Sequence, residues 1–416
     1  MTKKGFINTL YTNDNLFILN GLNSNLVDLI YLDPPFNTKR IYSAPIGSKA
    51  AGTSFKDMWT WQDVNEAYLD TLAVKYPSLT KFIATIGGIH SKAMMAYLTY
   101  MAQRIIEMHR VLKDTGSLYL HCDPTASHYL KAILDEIFGK NNFRNEIIWR
   151  YKRWPAKQPN FQRMHDVILF YSKQESANRF NTVYEALSAG TMKRWKGKKS
   201  KVEYDGTIRL TTKMTDEKSI GRPADDVWDI QLLNSQSKER TGYPTQKPLA
   251  LLHRIIKASS NEDDIVFDPF CGCATTCVAA QQLGRKWIGI DIEKQAVNIL
   301  VERLSNDAGL FKDFINTTLV PQRTDIEVEL PSVSVKERLY KEQNGLCNAC
   351  GTKFDIWNLE IDHVIPKAKG GGDYYENYQL LCGSCNRIKG DRPMEYLRLK
   401  IRTREEMMEN KIIFGE

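Results

Sequence analysis

Two loop sequences decide the fold, Asp33-Pro34-Pro35-Phe36 and Asp268-Pro269-Phe270-Cys271-Gly272. Each loop follows an apolar stretch, residues 27–32 and 265–267, that is typical of a buried strand. Proline cannot continue a central strand, so the strands are expected to end at these loops. In an open α/β sheet, ligands bind beyond the carboxyl ends of the strands. We therefore expect both loops to border a ligand site.

Strands and helices alternate along the chain around these loops. Apolar runs predict further strands at residues 116–120, 147–149, 167–171 and 287–290. Apolar periodicity predicts helices at residues 94–111, 125–138, 249–258, 274–283 and about 294–305. Alternation at this spacing is typical of βαβ units, so we predict an α/β fold with a mostly parallel sheet.

The length and the apolar content restrict the class of protein. A chain of 416 residues can form two or three domains, each with its own core. No run of about 18 apolar residues is present, and the first residues lack the apolar core of a signal peptide. We expect a cytoplasmic protein that does not contact a membrane.

Positive charge is concentrated in one central segment. The net charge of the whole chain is +8, whereas residues 149–222 carry 17 Lys and Arg against 7 Asp and Glu, a net of +10. Aromatic residues lie between these charges, as a surface that follows phosphates requires, although a solvated basic face has the same composition. We predict double-stranded DNA as the partner, with contacts from Arg150, Lys152, Arg153, Lys193, Arg194, Lys196, Lys198 and Lys199.

The first loop suits chemistry on an exocyclic amine of a base. Such an amine is a weak nucleophile because its lone pair is delocalised into the ring. The Asp33 carboxylate and the Pro34 carbonyl can accept its two N–H hydrogens, and the prolines stiffen the loop. Phe36 offers a flat face for a base that has been extruded from the duplex.

The second loop suits a nucleoside cofactor. Gly272 allows close approach of the backbone, and a helix N-terminus follows it. About twenty residues further on, Gly289-Ile290-Asp291 ends the next strand, where an acid can hold ribose hydroxyls.

Together with Tyr243-Pro244-Thr245-Gln246-Lys247-Pro248, these motifs resemble the β class of amino-methyltransferases, in which the catalytic loop precedes the cofactor loop. The resemblance covers residues 1 to about 305. It implies a Rossmann-like fold, S-adenosylmethionine as methyl donor, and in some members a homodimer. It implies a catalytic loop of Asp33, Pro34, Pro35 and Phe36, and a cofactor site of Asp14, Asp33, Lys247, Asp268, Pro269, Phe270, Gly272, Thr275 and Asp291.

Two features of this resemblance leave questions open. Ala274 stands where the family usually has a second glycine, and its methyl group could crowd the cofactor. Asp at the start of the Asp33 loop favours adenine N6 as the acceptor, with cytosine N4 as the alternative.

Four cysteines near the C-terminus form two knuckles, Cys347-x-x-Cys350 and Cys382-x-x-Cys385. Two such pairs provide four thiolates, which fill the tetrahedral coordination of Zn²⁺ and leave no open position. We therefore predict a structural zinc site. A small module has a small core, and a metal ion supplies the missing stability.

Residues between and after the knuckles resemble the HNH, or ββα-metal, nucleases. The resemblance rests on Leu359-Glu360-Ile361-Asp362-His363-Val364-Ile365-Pro366, Asn377 and Asn386, and covers about residues 336–396. It implies that His363 activates water, that Asn377 orients the His-bearing loop, and that Asp362 and Asn386 hold Mg²⁺ or another divalent cation. Asn386 replaces the usual histidine, which leaves the type of metal open.

The expected domains are a methyltransferase from residues 1–149 and 243–318, an inserted target-recognition region at 150–242, a linker at 319–335, and a zinc-stapled HNH domain at 336–416. We predict site-specific methylation of adenine N6 in DNA combined with endonuclease activity, as in restriction–modification. The alternatives are cytosine-N4 methylation, an HNH module that only grips DNA, and a silent DNA-binding protein.

Overall fold

The computed structural model describes residues 7–36, 40–45, 48, 50, 54–57, 60, 64, 72–73, 75–157, 159–234, 236–306, 314–326, 330–392, 394, 396–398 and 400–401. Residues 402–416 of the predicted HNH domain therefore lie outside the described residues.

A nine-stranded sheet forms the centre of the larger part of the chain. Its strands, in spatial order, are β12 (Val227–Asp229), β6 (Phe143–Arg150), β7 (His165–Ser172), β5 (Leu112–Cys122), β2 (Val27–Leu32), β13 (Ile265–Asp268), β14 (Lys286–Asp291), β1 (Thr9–Thr12) and β15 (Ile315–Thr317). All neighbouring pairs are parallel except the two pairs that β7 makes with β5 and β6. The predicted α/β fold with a mostly parallel sheet is confirmed.

The register of the sheet explains why the two deciding loops meet. Strands β2 and β13 are neighbours at the middle of the sheet, with Leu29 opposite Val266 and Ile30 opposite Phe267. Both strands run in the same direction, so the Asp33 loop and the Asp268 loop leave the sheet at the same edge. Every residue of both strands is buried, as expected for a parallel sheet that is covered on both faces.

Helices cover the two faces of this sheet. The helices within the described residues are α1 (Asn15–Gly21), α2 (Pro77–Ile89), α3 (Lys92–Val111), α4 (Ser127–Leu134), α5 (Ala189–Trp195), α6 (Leu249–Ser259), α7 (Thr275–Gln282), α8 (Lys294–Asn306), α9 (Val333–Glu342) and α10 (Gly383–Lys389). Helices α1 to α4 pack in one apolar cluster with Ile30, and α6 and α7 pack in another with Leu29 and Tyr31. The side chains of β2 thus alternate between two cores.

Each strand and helix predicted from the sequence has a counterpart, with small shifts at its ends. The helix predicted to end before Gly139 changes from α4 into a π-helical turn at Asp135–Gly139. Strand β1 and helix α1 were not predicted, since four residues and seven residues are too short for a clear period.

The central sheet extends into the segment that was predicted as the target-recognition region. Strands β7 and β12 lie between residues 150 and 242, yet both are members of the sheet. Outside the sheet, this segment forms α5 and two small antiparallel pairs, β8 (Tyr184–Glu185) with β11 (Arg222–Pro223), and β9 (Lys198–Asp205) with β10 (Ile208–Lys218). A further short pair, β3 (Arg40–Ser43) with β4 (Ser54–Asp57), follows the Asp33 loop.

The C-terminal part has a separate small core. Strands β16 (Leu359–His363) and β17 (Tyr378–Cys382) pair antiparallel, and α10 follows directly, which gives the ββα order. Helix α9 packs against them through Val335 and Leu339. Ile365 of this part packs against Leu16 of α1, so the two parts touch. Within the described residues, no helix is both long enough and apolar enough to cross a membrane.

Candidate methyl-transfer site and C-terminal metal site

A cleft of about 630 Å³ lies beyond the carboxyl ends of β2, β13 and β14. Both deciding loops border it. The lining includes all nine predicted cofactor residues and the rest of the first loop: Asp14, Asp33, Pro34, Pro35, Phe36, Lys247, Asp268, Pro269, Phe270, Gly272, Thr275 and Asp291. The tertiary structure thus collects residues from three separate parts of the sequence in one cavity.

Asp33 lies directly after β2, and its two oxygens have different surroundings. The Lys247 ammonium donates a hydrogen bond to Oδ2. The other oxygen, Oδ1, is buried and has no hydrogen-bond partner among the described residues, although His121 Nδ1 lies 3.4 Å away. A buried oxygen without a donor is costly, so Oδ1 is positioned to accept a hydrogen bond from a ligand.

Phe36 stands beside this carboxylate. Its ring centroid is 5.5 Å from the ring of His121, and the Lys247 ammonium lies 5.7 Å from the centroid of the Phe36 ring. One face of the cleft is therefore aromatic next to a carboxylate, an arrangement that suits a planar ring bearing an amine.

The second loop is held by its own side chains. Asp268 Oδ1 accepts a hydrogen bond from the backbone N–H of Phe270 at 3.0 Å, and Oδ2 accepts one from the Thr276 hydroxyl at 2.5 Å. The N–H of Gly272 donates to Asp291 Oδ2 at 2.7 Å. Gly272 has a φ of +50°, and a Cβ there would lie 3.0 Å from the Tyr243 ring. Glycine is favoured at this position by conformation and by space.

The acids of the cleft are buried. Burial raises the pKa of Asp268 to about 7, although the hydrogen bonds from Thr276 and Phe270 lower it. Burial likewise raises the pKa of Asp291 to about 6, against hydrogen bonds from Glu293 and Gly272. A cationic ligand would favour the ionised form of both acids. The donor set therefore fits a cofactor that carries positive charge and ribose hydroxyls.

Arg104 connects Asp14 to the Asp268 loop, and the sequence analysis did not predict this role. Its side chain is 1% exposed and donates from Nη2 to Asp14 Oδ1 at 3.0 Å and from Nε to Asn15 Oδ1 at 2.5 Å. Asn15 in turn donates to the Pro269 carbonyl at 2.9 Å. The only sequence signal was a cation within the apolar helix α3.

Ala274 does not crowd the cleft. It is fully buried, packs in the apolar cluster of α6 and α7, and is not among the residues that line the cavity. Its φ of +55° explains why glycine is usual there, because a left-handed backbone favours a residue without Cβ. The expected conflict with a cofactor is thus not seen; the alanine carries backbone strain instead.

The predicted DNA-contacting residues are exposed or partly exposed. Arg150 ends β6 at the cleft edge of the sheet and pairs with Asp229, while Lys198 and Lys199 pair with Asp216 and Glu217. Surface ion pairs of this kind contribute little, so phosphates can replace the acids. The other members of the set are Lys152, Arg153, Lys193, Arg194 and Lys196. Their contacts with DNA stay a prediction.

The four cysteines of the C-terminal part come together. One sulfur from each of Cys347, Cys350, Cys382 and Cys385 lies within 4.8 Å of the others. The first pair lies in a loop, and the second pair lies at the end of β17 and in α10. Four converging thiols are the donor set that tetrahedral zinc prefers.

His363 is the last residue of β16, and hydrogen bonds with the Asn377 side chain hold the loop that follows. The amide of Asn377 is 2% exposed, accepts from the N–H of Ile365 at 2.8 Å, and donates to the carbonyls of Ile365 and Gly372. His363 Nε2 lies 2.9 Å from Asp373 Oδ1. Asp373 was not singled out from the sequence; burial would raise its pKa, but hydrogen bonds from Lys367 and His363 lower it to about 2.

The two residues expected to hold a divalent cation have different partners. Asp362 accepts hydrogen bonds from Gln379 at 2.8 Å and from the buried ammonium of Lys389. Asn386 donates to Glu360 at 2.6 Å, and no hydrogen bond joins Asp362 to Asn386 within the described residues. A cation bound by Asp362 would have to displace Lys389, so their metal role stays a prediction.

This fold and these two sites define a methyltransferase-like catalytic part joined to a zinc-stapled ββα module. Residues 27–302 match the family model described as DNA methylase, and residues 347–392 match the model described as HNH endonuclease. Because the first match covers well over half of the chain, the protein belongs to the N6/N4 DNA methyltransferase family, and it carries a C-terminal HNH domain.

Curated relatives extend the comparison. The type II methyltransferase M.EcaI of Enterobacter cloacae is 28% identical over 391 residues, 81% of this chain and 78% of that protein. M.HpaI, a type II methyltransferase of Haemophilus parainfluenzae, is 32% identical over 51% of this chain and 60% of its own length. The DNA adenine methyltransferase YhdJ of Escherichia coli is 27% identical over 71% of this chain and 82% of its own length.

Proposed function

We propose that this protein transfers a methyl group from S-adenosylmethionine to N6 of adenine at a specific site in double-stranded DNA. The observation that carries the proposal is the buried Asp33 Oδ1, which lies in a cleft beside Phe36 and finds no hydrogen-bond partner in the part of the chain that the structure describes. We further propose that the protein acts in the cytoplasm, as expected of an enzyme that modifies chromosomal DNA, and that residues 150–242 carry most of the contacts that select the site.

The residues of the cleft have different roles in the proposed reaction. Lys247 occupies Asp33 Oδ2, which leaves Oδ1 to accept one N–H of the amine and to increase the electron density on its nitrogen. The Phe36 ring supports the extruded base by stacking. Asp14, Asp268, Pro269, Phe270, Gly272, Thr275 and Asp291 would hold S-adenosylmethionine. When bound, this cofactor supplies an electrophilic methyl group.

The choice of adenine rests on the Asp33-Pro34-Pro35-Phe36 sequence and on the adenine-directed name of one relative, YhdJ. Cytosine N4 offers the same kind of amine, so it is the alternative. Both amines place two N–H groups near the Asp33 loop, and the test must therefore identify the base.

Sequencing that reads modified bases tests this proposal directly. We would express the wild type, Asp33→Ala, and Asp325→Ala as a carboxylate control remote from the cleft. One short motif carrying N6-methyladenine in the wild type and the control, and lost in Asp33→Ala, is the expected result. N4-methylcytosine would overturn the choice of base. An unmodified genome, together with no methyl transfer by the purified protein, would overturn methyltransferase activity.

We also propose that the HNH domain cleaves DNA, which makes the chain a combined restriction–modification protein. The supporting observation is the loop that Asn377 fastens behind His363, which holds this histidine beside Asp373. Asp362 and Asn386 would hold the divalent cation that stabilises charge on the phosphate. His363→Ala should abolish cleavage of the methylated or the unmethylated motif and leave methylation intact. Equal cleavage by this variant would overturn the role of His363, and no cleavage by the wild type would reduce the module to DNA binding.

A further inference from the structure

A chain of buried and half-buried polar groups lies behind Asp33, and the proposed function does not yet use it. His121, near the end of β5, is completely buried, and its Nδ1 lies 3.4 Å from Asp33 Oδ1 and 3.0 Å from the Tyr31 hydroxyl. Its Nε2 lies 3.3 Å from Asp166 Oδ2. Asp166, on β7, also accepts a hydrogen bond from the Tyr151 hydroxyl at 3.0 Å.

The partners determine which nitrogen of His121 carries the proton. Burial would raise the pKa of Asp166, but hydrogen bonds from His121 and Tyr151 and nearby positive charge lower it to about 2, so this carboxylate only accepts. His121 Nε2 must therefore be the donor. Burial raises the pKa of Tyr31 well above its usual value, so its hydroxyl stays protonated and donates a hydrogen bond to Nδ1.

This protonation state explains the unpartnered oxygen of Asp33. Because Nδ1 of neutral His121 carries no proton, it has nothing to donate to Asp33 Oδ1 across the 3.4 Å between them. The oxygen is left for the amine of the substrate. A protonated His121 would instead donate from Nδ1 and compete with that amine.

We propose that His121, supported by Asp166, receives the proton that the target amine loses through Asp33. Methyl transfer leaves the amine nitrogen positively charged with one proton in excess. That N–H bond breaks, its electron pair stays on nitrogen, and the proton binds Asp33 Oδ1. The Tyr31 hydroxyl gives up its hydrogen bond to His121 Nδ1, and the proton passes from Oδ1 to the lone pair that this frees, which restores the Asp33 carboxylate and makes an imidazolium.

The charges around His121 suit this end state. Asp33 and Asp166 carry two negative charges, and Lys247 together with the imidazolium carries two positive ones. The neutral phenols of Tyr31 and Tyr151 complete the polar surroundings of His121. Buried Asp268 acts electrostatically on Tyr31 and, among the described residues, makes no hydrogen bond to His121. The rings of Phe36 and Trp149 pack on His121 at 5.5 and 5.4 Å. These rings keep water from the relay, so the proton has a defined path.

His121 and Asp166 would act through Asp33, so they are positioning and relay residues that do not contact the base. The inference rests on the proposed methyl transfer. A purely structural role for His121 is the competing explanation, because a buried histidine between two strands also holds the sheet together. The two explanations differ in how the reaction depends on pH.

The test is a single-turnover measurement of methyl transfer across pH 5.5–9. It uses the full chain, S-adenosylmethionine and an oligonucleotide with the motif found by sequencing. His121→Asn can still donate to Asp166 but cannot accept the proton, and we expect its rate to fall about 100-fold at pH 8. The wild-type rate should decrease on the acid side, because a relay that already holds a proton cannot take another, whereas the variant should lack that decrease. The two rates should therefore converge at low pH.

Asp166→Asn is the second variant, in case His121→Asn does not fold. Removal of the negative charge makes the imidazolium harder to form, so the acid-side decrease should move to lower pH and the rate at pH 8 should fall. Dissociation constants for S-adenosylmethionine should stay within about twofold for both variants. A rate loss of the same factor at every pH, or an unchanged rate, would overturn the relay. An inactive wild type would overturn the proposed methyl transfer as well, and so the two failures are distinct.

Discussion

Asp268→Asn should stabilise the protein at alkaline pH, because the carboxyl it replaces is buried at the floor of the cleft. Asp268 is 3% exposed, and burial raises its pKa from 3.8 to about 7. Because the carboxyl pKa is higher in the folded state than in the unfolded state, protonation of Asp268 stabilises the fold. This stabilisation is complete below the unfolded-state pKa near 4 and is lost as the pH rises to the folded-state pKa near 7. At about 1.4 kcal/mol per pH unit, the wild type loses about 2 kcal/mol between pH 5.5 and pH 7.

Asparagine cannot ionise, yet its oxygen can still accept from the Phe270 N–H and its amide can donate to the Thr276 hydroxyl. The measurement is the guanidinium midpoint of wild type and variant at pH 5.5, 7 and 8, without cofactor. The advantage of Asp268→Asn should increase by about 2 kcal/mol from pH 5.5 to pH 8.

Asp325→Asn provides the control with the opposite sign. Burial would raise the pKa of Asp325, but hydrogen bonds from Arg323 and Ser24 hold it well below its usual range. Its stabilisation is therefore complete above pH 4, and the cost of this substitution should be constant from pH 5.5 to pH 8. The reasoning about Asp268 would be refuted if its substitution also gave a constant difference.

Three further predictions concern the other surfaces. Asn377→Ala removes three buried hydrogen bonds, so we expect about 2–4 kcal/mol of lost stability in the HNH domain by denaturant unfolding, and slower cleavage with unchanged methylation. Cys382→Ser should lower the zinc content, measured by elemental analysis, from one ion per chain to well below one. Trp154 is 92% exposed between β6 and β7 at the cleft edge, so Trp154→Ala should weaken DNA binding about tenfold by fluorescence anisotropy, whereas Trp357→Ala, 86% exposed in the HNH domain, should not.

The comparison of sequence and structure separates local signals from distant ones. Strand β2, strand β13 and helix α6 were predictable because a buried strand or an amphipathic helix imposes its period on neighbouring residues. The two proline-containing loops were predictable as binding loops because proline ends the strands there. The cysteine knuckles were predictable because zinc requires donors at fixed spacing.

The buried polar residues could not be found in this way. Four such residues lie within helices or strands: Arg104, His121, Asp166 and Lys389. Each stands at one position of an otherwise apolar pattern, so the period of that pattern is unchanged. A polar residue in an apolar run was the only signal. Each is satisfied by a partner from another element, and the sequence does not say which elements are adjacent.

The sequence by itself determined the chemistry of the two loops, the four cysteines and the basic segment, since these depend on residue types at short spacing. The order of the strands in the sheet determined which of the site residues lie close together. Because β2 and β13 are neighbours, Asp33 and Asp268 border one cleft, and because β5 lies between β2 and β7, His121 reaches both Asp33 and Asp166. Such contacts come from packing free energy summed over the whole sheet, which no short stretch of sequence contains.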